Sequence, residues 1–218
     1  MSENAETEEK KEIGDDALSK LLMVNAPPEE PEMRSMTIIG DINEELSKDV
    51  LAALWFLNHS AKAEELANPD DPECEELREV VKPFEVIIST NGGNADEMFA
   101  IYDTMRYIRE TVDIETFGLG KVMSAGTLLL AAGTKGKRKI GKSCRVMIHN
   151  VAAGNFGNLP NLANELEAIQ QLQDDYITAM VTHTKFSRKK LEKLLNEKVN
   201  IYLDAEEAVK YGLADEIM

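Results

Sequence analysis

The residues that decide the fold are GKVMSAGTLLLAAG at positions 120–133 and RVMIHN at positions 145–150. Ser124 opens an apolar run with the spacing of a buried helix, and His149 follows a strand-like apolar run. A serine hydroxyl becomes a strong nucleophile only when a nearby imidazole accepts its proton. Backbone N–H groups at the start of a helix can stabilise a developing oxyanion. The pair therefore indicates a serine hydrolase.

Both residues also have an ordinary structural interpretation. A serine at the start of a buried helix is commonly its N-cap, and a histidine after an apolar strand is commonly a core or edge residue. The neighbouring segments of the chain decide between the two interpretations.

Composition limits the classes of protein to which the chain can belong. Its 218 residues, 43% of them hydrophobic, suit one α/β domain with appended segments. A net charge of −16 repels phosphates, so we expect no nucleic-acid partner. No apolar run reaches the roughly 20 residues of a membrane span, and the first residues lack the apolar core of a secretory signal. We therefore expect a cytoplasmic protein without a membrane partner.

The cysteines agree with a reducing compartment. Cys74 and Cys144 are the only two, and they do not form a CxxC pair. Cys144 precedes an apolar strand, so we expect it to be a buried free thiol.

Two segments are strongly acidic. Residues 1–33 contain ten acidic residues and three lysines, which predicts a mostly disordered N-terminal arm. Residues 61–82 contain eight acidic residues and two prolines, which predicts a surface insertion between a helix and a strand. The remaining body, residues 34–218, is expected to form the folded domain.

In that body, strand-like and helical segments alternate, which predicts an α/β fold with a mostly parallel sheet. One strand over 84–89 ends at the turn Asn91-Gly92-Gly93. A long amphipathic helix is predicted over 162–185. In parallel sheets, sites form beyond the carboxyl ends of the strands. Gly92-Gly93, Ser124 and His149 all fall at such places, which is an independent reason to group them.

Five segments carry a resemblance to a known family. They are ISTNGG at 88–93, IYDTM at 101–105, residues 124–133, residues 143–149, and AEEAVKYGLAD at 205–215. In this order they resemble ClpP, the proteolytic subunit of the Clp protease (peptidase family S14), over most of residues 34–218. The resemblance implies the crotonase/ClpP-like ββα superhelix, with a protruding helical handle in the region 155–186.

The resemblance also implies a function. Members of this family are ATP-dependent serine endopeptidases that hydrolyse peptides and unfolded proteins, as part of protein quality control. Their active sites lie inside a barrel of two stacked heptameric rings, and an AAA+ unfoldase feeds the chamber. It follows that the chain would associate with itself, with a Clp ATPase or with a ClpP paralogue. The chain itself would bind no cofactor or metal, and ATP would be used by the partner.

Individual roles follow by position in the family motifs. Ser124 is the nucleophile and His149 the general base, while Gly93 and Ala125 donate backbone N–H groups to the oxyanion. The family's third triad member is usually Asp. Counting back from the tail motif places Asn196 there, whereas counting forward from His183 places Leu194.

Leucine cannot orient an imidazole, so Asn196 is the first candidate for the third member of the triad. An amide oxygen can accept the imidazole N–H, although it stabilises the imidazolium less than a carboxylate does. Asp204 is the second candidate, and its place in a predicted capping box favours a structural role. His183 has no role in the family's chemistry, and we expect it in solvent or at a subunit contact.

Some residues depart from the family pattern. Asn91 replaces the usual proline before Gly-Gly. Glu85 and Ile87 replace the tyrosines that help to grip the ATPase loop, although Tyr107 keeps one aromatic side chain nearby. We therefore consider a divergent or phage-encoded member of the family.

Three alternative functions stay open beside the one that the resemblance implies. They are a phage capsid-maturation protease, a weakly active or degenerate paralogue that modulates an active subunit, and a crotonase-type acyl-CoA enzyme. The last shares the fold but lacks this Ser/His pair.

Overall fold

The computed structural model describes residues 33–68, 70, 76–154, 156–197 and 200–218. The predicted acidic arm, residues 1–33, lies outside this part of the chain except for Met33. The described strands are β1 (Ser35–Ile42), β2 (Lys62–Leu66), β3 (Leu77–Val81), β4 (Phe84–Gly93), β5 (Ile114–Met123), β6 (Arg138–Ile140), β7 (Arg145–Ile148), β8 (Ile201–Leu203) and β9 (Glu216–Ile217). The described helices are α1 (Glu44–His59), α2 (Ala95–Ile108), α3 (Ala125–Ala131), α4 (Leu159–His183), α5 (Arg188–Glu197) and α6 (Ala205–Tyr211).

The main sheet has the order β1-β4-β5-β6-β9, and every pairing along this path is parallel. Strand β5 has two partners on the same edge. Its first half pairs with β6 at residues 116–118, and its end pairs with β7 at residues 121–123. Strand β8 adds to β7 in the antiparallel direction. The predicted α/β fold with a mostly parallel sheet is therefore confirmed.

Helices cover the sheet because their apolar stripes face it. In α1, the Asn43 side chain accepts a hydrogen bond from the Leu46 N–H and caps the first turn. In α2, Asn94 does the same for the Asp96 N–H. Helix α3 is apolar except for Thr127, and all seven of its residues are buried, so it forms part of the core.

The acidic insertion forms a hairpin. Strands β2 and β3 pair with each other in the antiparallel direction, from Lys62 opposite Val81 to Leu66 opposite Leu77, and do not join the main sheet. Their residues are exposed or half-buried, and Lys62 forms an ion pair with Glu79 at 3.0 Å. The hairpin thus lies on the surface, and in the chain it connects α1 to β4.

Helix α4 has two different halves. All residues from 159 to 168 are exposed, including Leu159, Leu162 and Leu166. The second half is amphipathic, and Tyr176, Ile177 and Met180 are buried against the body. The described residues therefore leave the apolar side chains of the first half uncovered.

The C-terminal segment is attached to the sheet by Arg138. Its side chain is 4% exposed and donates two hydrogen bonds to the Asp215 carboxylate, at 2.8 and 2.5 Å. It also donates to the carbonyl oxygens of Ala131 and His183. One guanidinium thus links β6, the end of α3, the end of α4 and the residue before β9.

We expect Asp215→Asn to lower the free energy of unfolding by about 3 kcal/mol at pH 7, because it leaves a buried guanidinium without its anion. Partial burial raises the pKa of Asp215, but the hydrogen bonds and charge of Arg138 outweigh it and lower the pKa overall. A lowered pKa contributes stability that is present above the ordinary carboxyl pKa and is lost as pH falls through the folded-state value.

The measurement is urea unfolding of both proteins as a function of pH. The difference in free energy of unfolding between the two proteins should be largest at neutral pH and should shrink below about pH 4. Asp103→Asn is the matched control, because Asp103 is exposed and lies 3.9 Å from the Arg106 Nε. A difference in free energy of unfolding that does not change with pH would contradict a stabilising role of the Arg138–Asp215 ion pair.

Candidate active site

Ser124 occupies the tight turn between β5 and α3. Its backbone has φ 54° and ψ −122°, and it is the only non-glycine residue of the described chain with a positive φ. Such a conformation costs on the order of 1–3 kcal/mol and persists only where the surrounding structure holds it. Here the Ser124 N–H donates to the Met147 carbonyl at 2.7 Å. A strained turn between a strand and a helix is also the position of the serine in nucleophile elbows.

His149 comes to Ser124 through the sheet. Strand β7 lies parallel to the end of β5, with Met147 opposite Met123, so the residues that follow both strands emerge at the same edge. The His149 Nε2 and the Ser124 Oγ lie 2.7 Å apart. This is hydrogen-bonding distance for a base that removes the hydroxyl proton.

Gly92 and Gly93, where the sequence predicts a turn, are instead the last residues of β4, because they pair with Asp41 and Ile42 of β1, and this end of the strand lies beside the serine. Both glycines have positive φ, 97° and 155°. A Cβ at position 92 would lie 2.5 Å from the Ser124 Cβ, and one at position 93 would lie 2.1 Å from the Ile42 carbonyl oxygen. Only glycine therefore allows the backbone to approach Ser124 at position 92 and Ile42 of β1 at position 93. Ala125, the first residue of α3, has no intrahelical acceptor for its N–H.

Ser124, His149, Gly93 and Ala125 line one cavity of about 530 Å³. Its wall combines polar and apolar groups in similar measure, and among the described residues that line it Asp96 is the acidic one. The other lining residues are Asn94, Ala95, Met98, Asn150, Val151, Ala152, Ala153, Ile169, Leu172 and Tyr176. No group of three or more His, Cys, Asp or Glu side chains suited to a metal ion occurs in the described residues.

Asn196 is not brought into this cavity. It lies exposed near the end of α5, and no hydrogen bond joins it to His149 within the described residues. The adjacent residue is nevertheless close to the site, since the Leu195 carbonyl accepts a hydrogen bond from the Asn150 side chain at 3.0 Å. Lys198 and Val199 lie outside the described residues.

Asp204 has a different position. It caps α6 in a capping box with Glu207, as its sequence predicts. The role of Asn196 stays a prediction.

His183 is not where we expected it. It is 4% exposed rather than in solvent, because the end of α4 packs against α2. Its Nε2 lies 3.0 Å from the Tyr102 hydroxyl. Burial, together with the nearby Arg109, lowers the pKa of His183 to about 4, so it is neutral near pH 7. Cys144 is a buried free thiol, as predicted, and burial raises its pKa to about 11.

Two hydroxyl groups near the serine were not predicted from the sequence. The Thr127 Oγ1 donates to the Ser124 carbonyl at 2.6 Å, and the Tyr176 hydroxyl lies 2.9 Å from the same Thr127 oxygen. The available signal was a lone threonine inside the apolar run at 125–132. Tyr176 gave no such signal in the sequence, because it fits the apolar stripe of α4.

Comparisons with known proteins agree with this arrangement. The family model described as Clp protease matches residues 76–218. The ATP-dependent Clp protease proteolytic subunit of Deinococcus radiodurans is 38% identical over 135 residues, which cover 62% of this chain and 64% of that protein. The match thus spans less than two thirds of the relative's length. No helix in the described residues has the length and apolarity to cross a membrane. Because the family model covers well over half of the chain, and the sheet and helices agree with the ClpP-like fold, the chain belongs to the Clp protease family.

Proposed function

We propose that this chain is a proteolytic subunit of a Clp-type protease, a serine endopeptidase that cuts peptides and unfolded proteins inside an oligomeric barrel. The observation that carries the proposal is the 2.7 Å contact between the Ser124 Oγ and the His149 Nε2, in a strained turn of a Clp-family chain. Family membership alone would leave the type of catalysis open, and the contact favours a serine nucleophile.

In this proposal His149 accepts the hydroxyl proton while the Ser124 Oγ attacks the substrate carbonyl carbon. The carbonyl oxygen becomes an oxyanion, and the backbone N–H groups of Gly93 and Ala125 stabilise it. The protonated His149 then gives its proton to the leaving amine, and an acyl-enzyme ester remains on Ser124. A water molecule, deprotonated by His149, hydrolyses the ester and restores the serine.

Self-association is supported by helix α4. Its first half exposes Leu162 and Leu166 over a stretch in which every residue is exposed. Apolar side chains in a row on a projecting helix are costly in water and are typical of an interface. We propose that this half of α4 packs against other copies of the chain and closes the barrel.

A Clp ATPase is the second partner in the proposal, and it would supply ATP hydrolysis. Exposed aromatic rings support a docking surface, since Trp55 and Tyr107 lie with their ring centroids 5.6 Å apart and both are partly in solvent. Glu85 is exposed and Ile87 half-buried where the family has tyrosines. We therefore expect weaker docking of a standard Clp ATPase than for the family in general.

One observation favours a second candidate function. The described residues contain no hydrogen-bond partner for the His149 Nδ1. An imidazole without an orienting acceptor is a poorer base. This favours a slow subunit that modulates an active paralogue.

The first test is covalent labelling of Ser124. A fluorophosphonate should add once to the purified chain, because the Ser124 Oγ displaces fluoride with His149 as base. Ser124→Ala should abolish the mass increase, and His149→Ala should slow it by at least about a thousandfold. Intact-mass spectrometry measures both.

Ser187→Ala is the control, because this serine lies outside the cavity. It should label like the unmodified chain. Labelling that persists in Ser124→Ala would place the nucleophile at another residue.

A second test concerns the third member of the triad. If Asn196 orients His149, Asn196→Ala should lower kcat, and Asn196→Asp should preserve or raise it. A charged acceptor stabilises the imidazolium better, by about 1–3 kcal/mol. The assay is hydrolysis of a fluorogenic peptide. Unchanged kinetics in Asn196→Ala together with a loss in Asp204→Ala would assign the role to Asp204.

A third test concerns assembly. Light scattering should give a mass many times the 24.3 kDa of one chain. Replacing Leu162 and Leu166 by Asp should reduce it, because charges would be buried at the interface. Asn164→Asp is the control, since a residue two positions from each leucine lies on the opposite face of the helix. A monomeric mass for the unmodified chain at micromolar concentration would rule out the barrel.

A further inference from the structure

The peptide group between Ser124 and Ala125 has two functions in the proposed mechanism. Its N–H is one of the two oxyanion donors, and its carbonyl belongs to the nucleophilic serine. In a planar trans peptide, the carbonyl and the N–H point in opposite directions. Whatever fixes the direction of the Ser124 carbonyl therefore also fixes the direction in which the Ala125 N–H points.

Thr127 fixes that carbonyl. The Ser124 oxygen accepts hydrogen bonds from the Thr127 N–H at 3.0 Å and from the Thr127 Oγ1 at 2.6 Å. The threonine is fully buried. Ser124 itself has a positive φ, a conformation that a non-glycine residue leaves readily if its surroundings permit. The two bonds hold the strained peptide in place from inside the protein.

Tyr176 in turn holds Thr127. A threonine hydroxyl has one proton, and here it is donated to the Ser124 carbonyl, which can only accept. The 2.9 Å contact with Tyr176 must therefore be a bond in which the tyrosine O–H donates to the threonine oxygen. Burial raises the pKa of Tyr176 to about 12, so the tyrosine keeps this proton near pH 7. The chain of donors runs from Tyr176 to Thr127 to the Ser124 carbonyl.

We infer that Tyr176 and Thr127 are positioning residues that set the Ser124–Ala125 peptide so that the Ala125 N–H points at the substrate oxyanion. The inference rests on the proposed serine peptidase function and extends it to two side chains that do not react. Consecutive hydrogen bonds polarise one another, so loss of the outer bond weakens the inner one. The same tyrosine ring lines the cavity beside the serine. The residue that supports the oxyanion donor therefore also borders the space that a substrate would enter.

The structure offers a matched control for the loss of a buried hydroxyl. Thr116 is also fully buried, and its Oγ1 donates to the Leu130 carbonyl of the same helix α3 at 2.9 Å. That bond lies at the far end of α3 from Ser124. Thr116→Val, on β5, and Thr127→Val, on α3, therefore each remove one buried hydroxyl that donates to a carbonyl at one end of α3, and only Thr127 contacts the Ser124–Ala125 peptide.

The experiment compares kcat and KM for a fluorogenic peptide among Tyr176→Phe, Thr127→Val, Thr127→Ser and Thr116→Val. Loss of an entire oxyanion donor costs about 10²–10³ in kcat, so a misdirected donor should cost about tenfold, with KM nearly unchanged. Thr127→Ser should retain most of kcat. The double variant Tyr176→Phe/Thr127→Val should be no slower than Thr127→Val alone, because both changes break one chain of bonds.

A second readout separates positioning from general loss of stability. A peptide boronate forms a tetrahedral adduct on the serine, and its affinity should fall by the same factor as kcat/KM in Tyr176→Phe and Thr127→Val. Thr116→Val should unfold at a similarly lowered temperature but keep both kcat and boronate affinity. Tyr176→Phe retains the ring, so it carries the test if Thr127→Val does not fold.

The outcomes are distinguishable. An unmodified chain that neither labels at Ser124 nor cuts peptides would overturn the proposed function and this inference with it. An unmodified chain that labels and cuts, with kcat and boronate affinity in Tyr176→Phe equal to those of the unmodified chain, would overturn the inference alone. A loss of kcat in Thr116→Val as large as in Thr127→Val would also overturn it.

Discussion

The parallel pairing of β5 with β7 is the constraint on which the site depends. Met123 and Met147 lie opposite each other in register. Ser124 follows Met123 directly and His149 comes two residues after Met147, so both leave the sheet at the same edge. A slip of one residue would turn every side chain of β7 to the other face. Since Val146 and Ile148 are fully buried on the core face, such a slip would expose two large apolar groups. The same burial that stabilises the fold therefore keeps His149 within reach of Ser124.

The strained serine is held by neighbours that leave little space around it. A Cβ at position 92 would collide with Ser124, and one at position 126 would lie 2.4 Å from the Thr90 side chain. Thr90 itself is fixed, because its hydroxyl donates to the Gly40 carbonyl and accepts from the Gly92 N–H. Strands β1, β4 and β5 thus all limit the movement of one turn. Rigid elements of this kind can hold a strained residue in place.

Much of this could be predicted from sequence because the signals were local. Alternating strands and helices and the Asp204 capping box depend on residues within a few positions of each other. The continuation of β4 through Gly92-Gly93, where the sequence predicts a turn, depends instead on pairing with the distant strand β1. Strands β8 and β9 were missed because three and two residues are too short to show a period. The burial of His183 depends on a helix 81 residues away in the chain, which no local pattern encodes. The pairing of Thr127 with Tyr176 was missed for the same reason, since the two residues are 49 positions apart and only the fold brings them together.

Helix α4 links the outside of the molecule to the cavity. Leu166 is exposed, whereas Tyr176 on the same continuous helix lies in the wall of the site, about 15 Å further along the axis. A hydrogen-bonded helix is stiff over that length, so a rotation of the outer half about its axis also turns the tyrosine ring. A contact that orients the exposed half of α4 then also displaces the Tyr176 hydroxyl slightly. The orientation of the Ser124–Ala125 peptide is in this way coupled to any contact made at the far end of the helix.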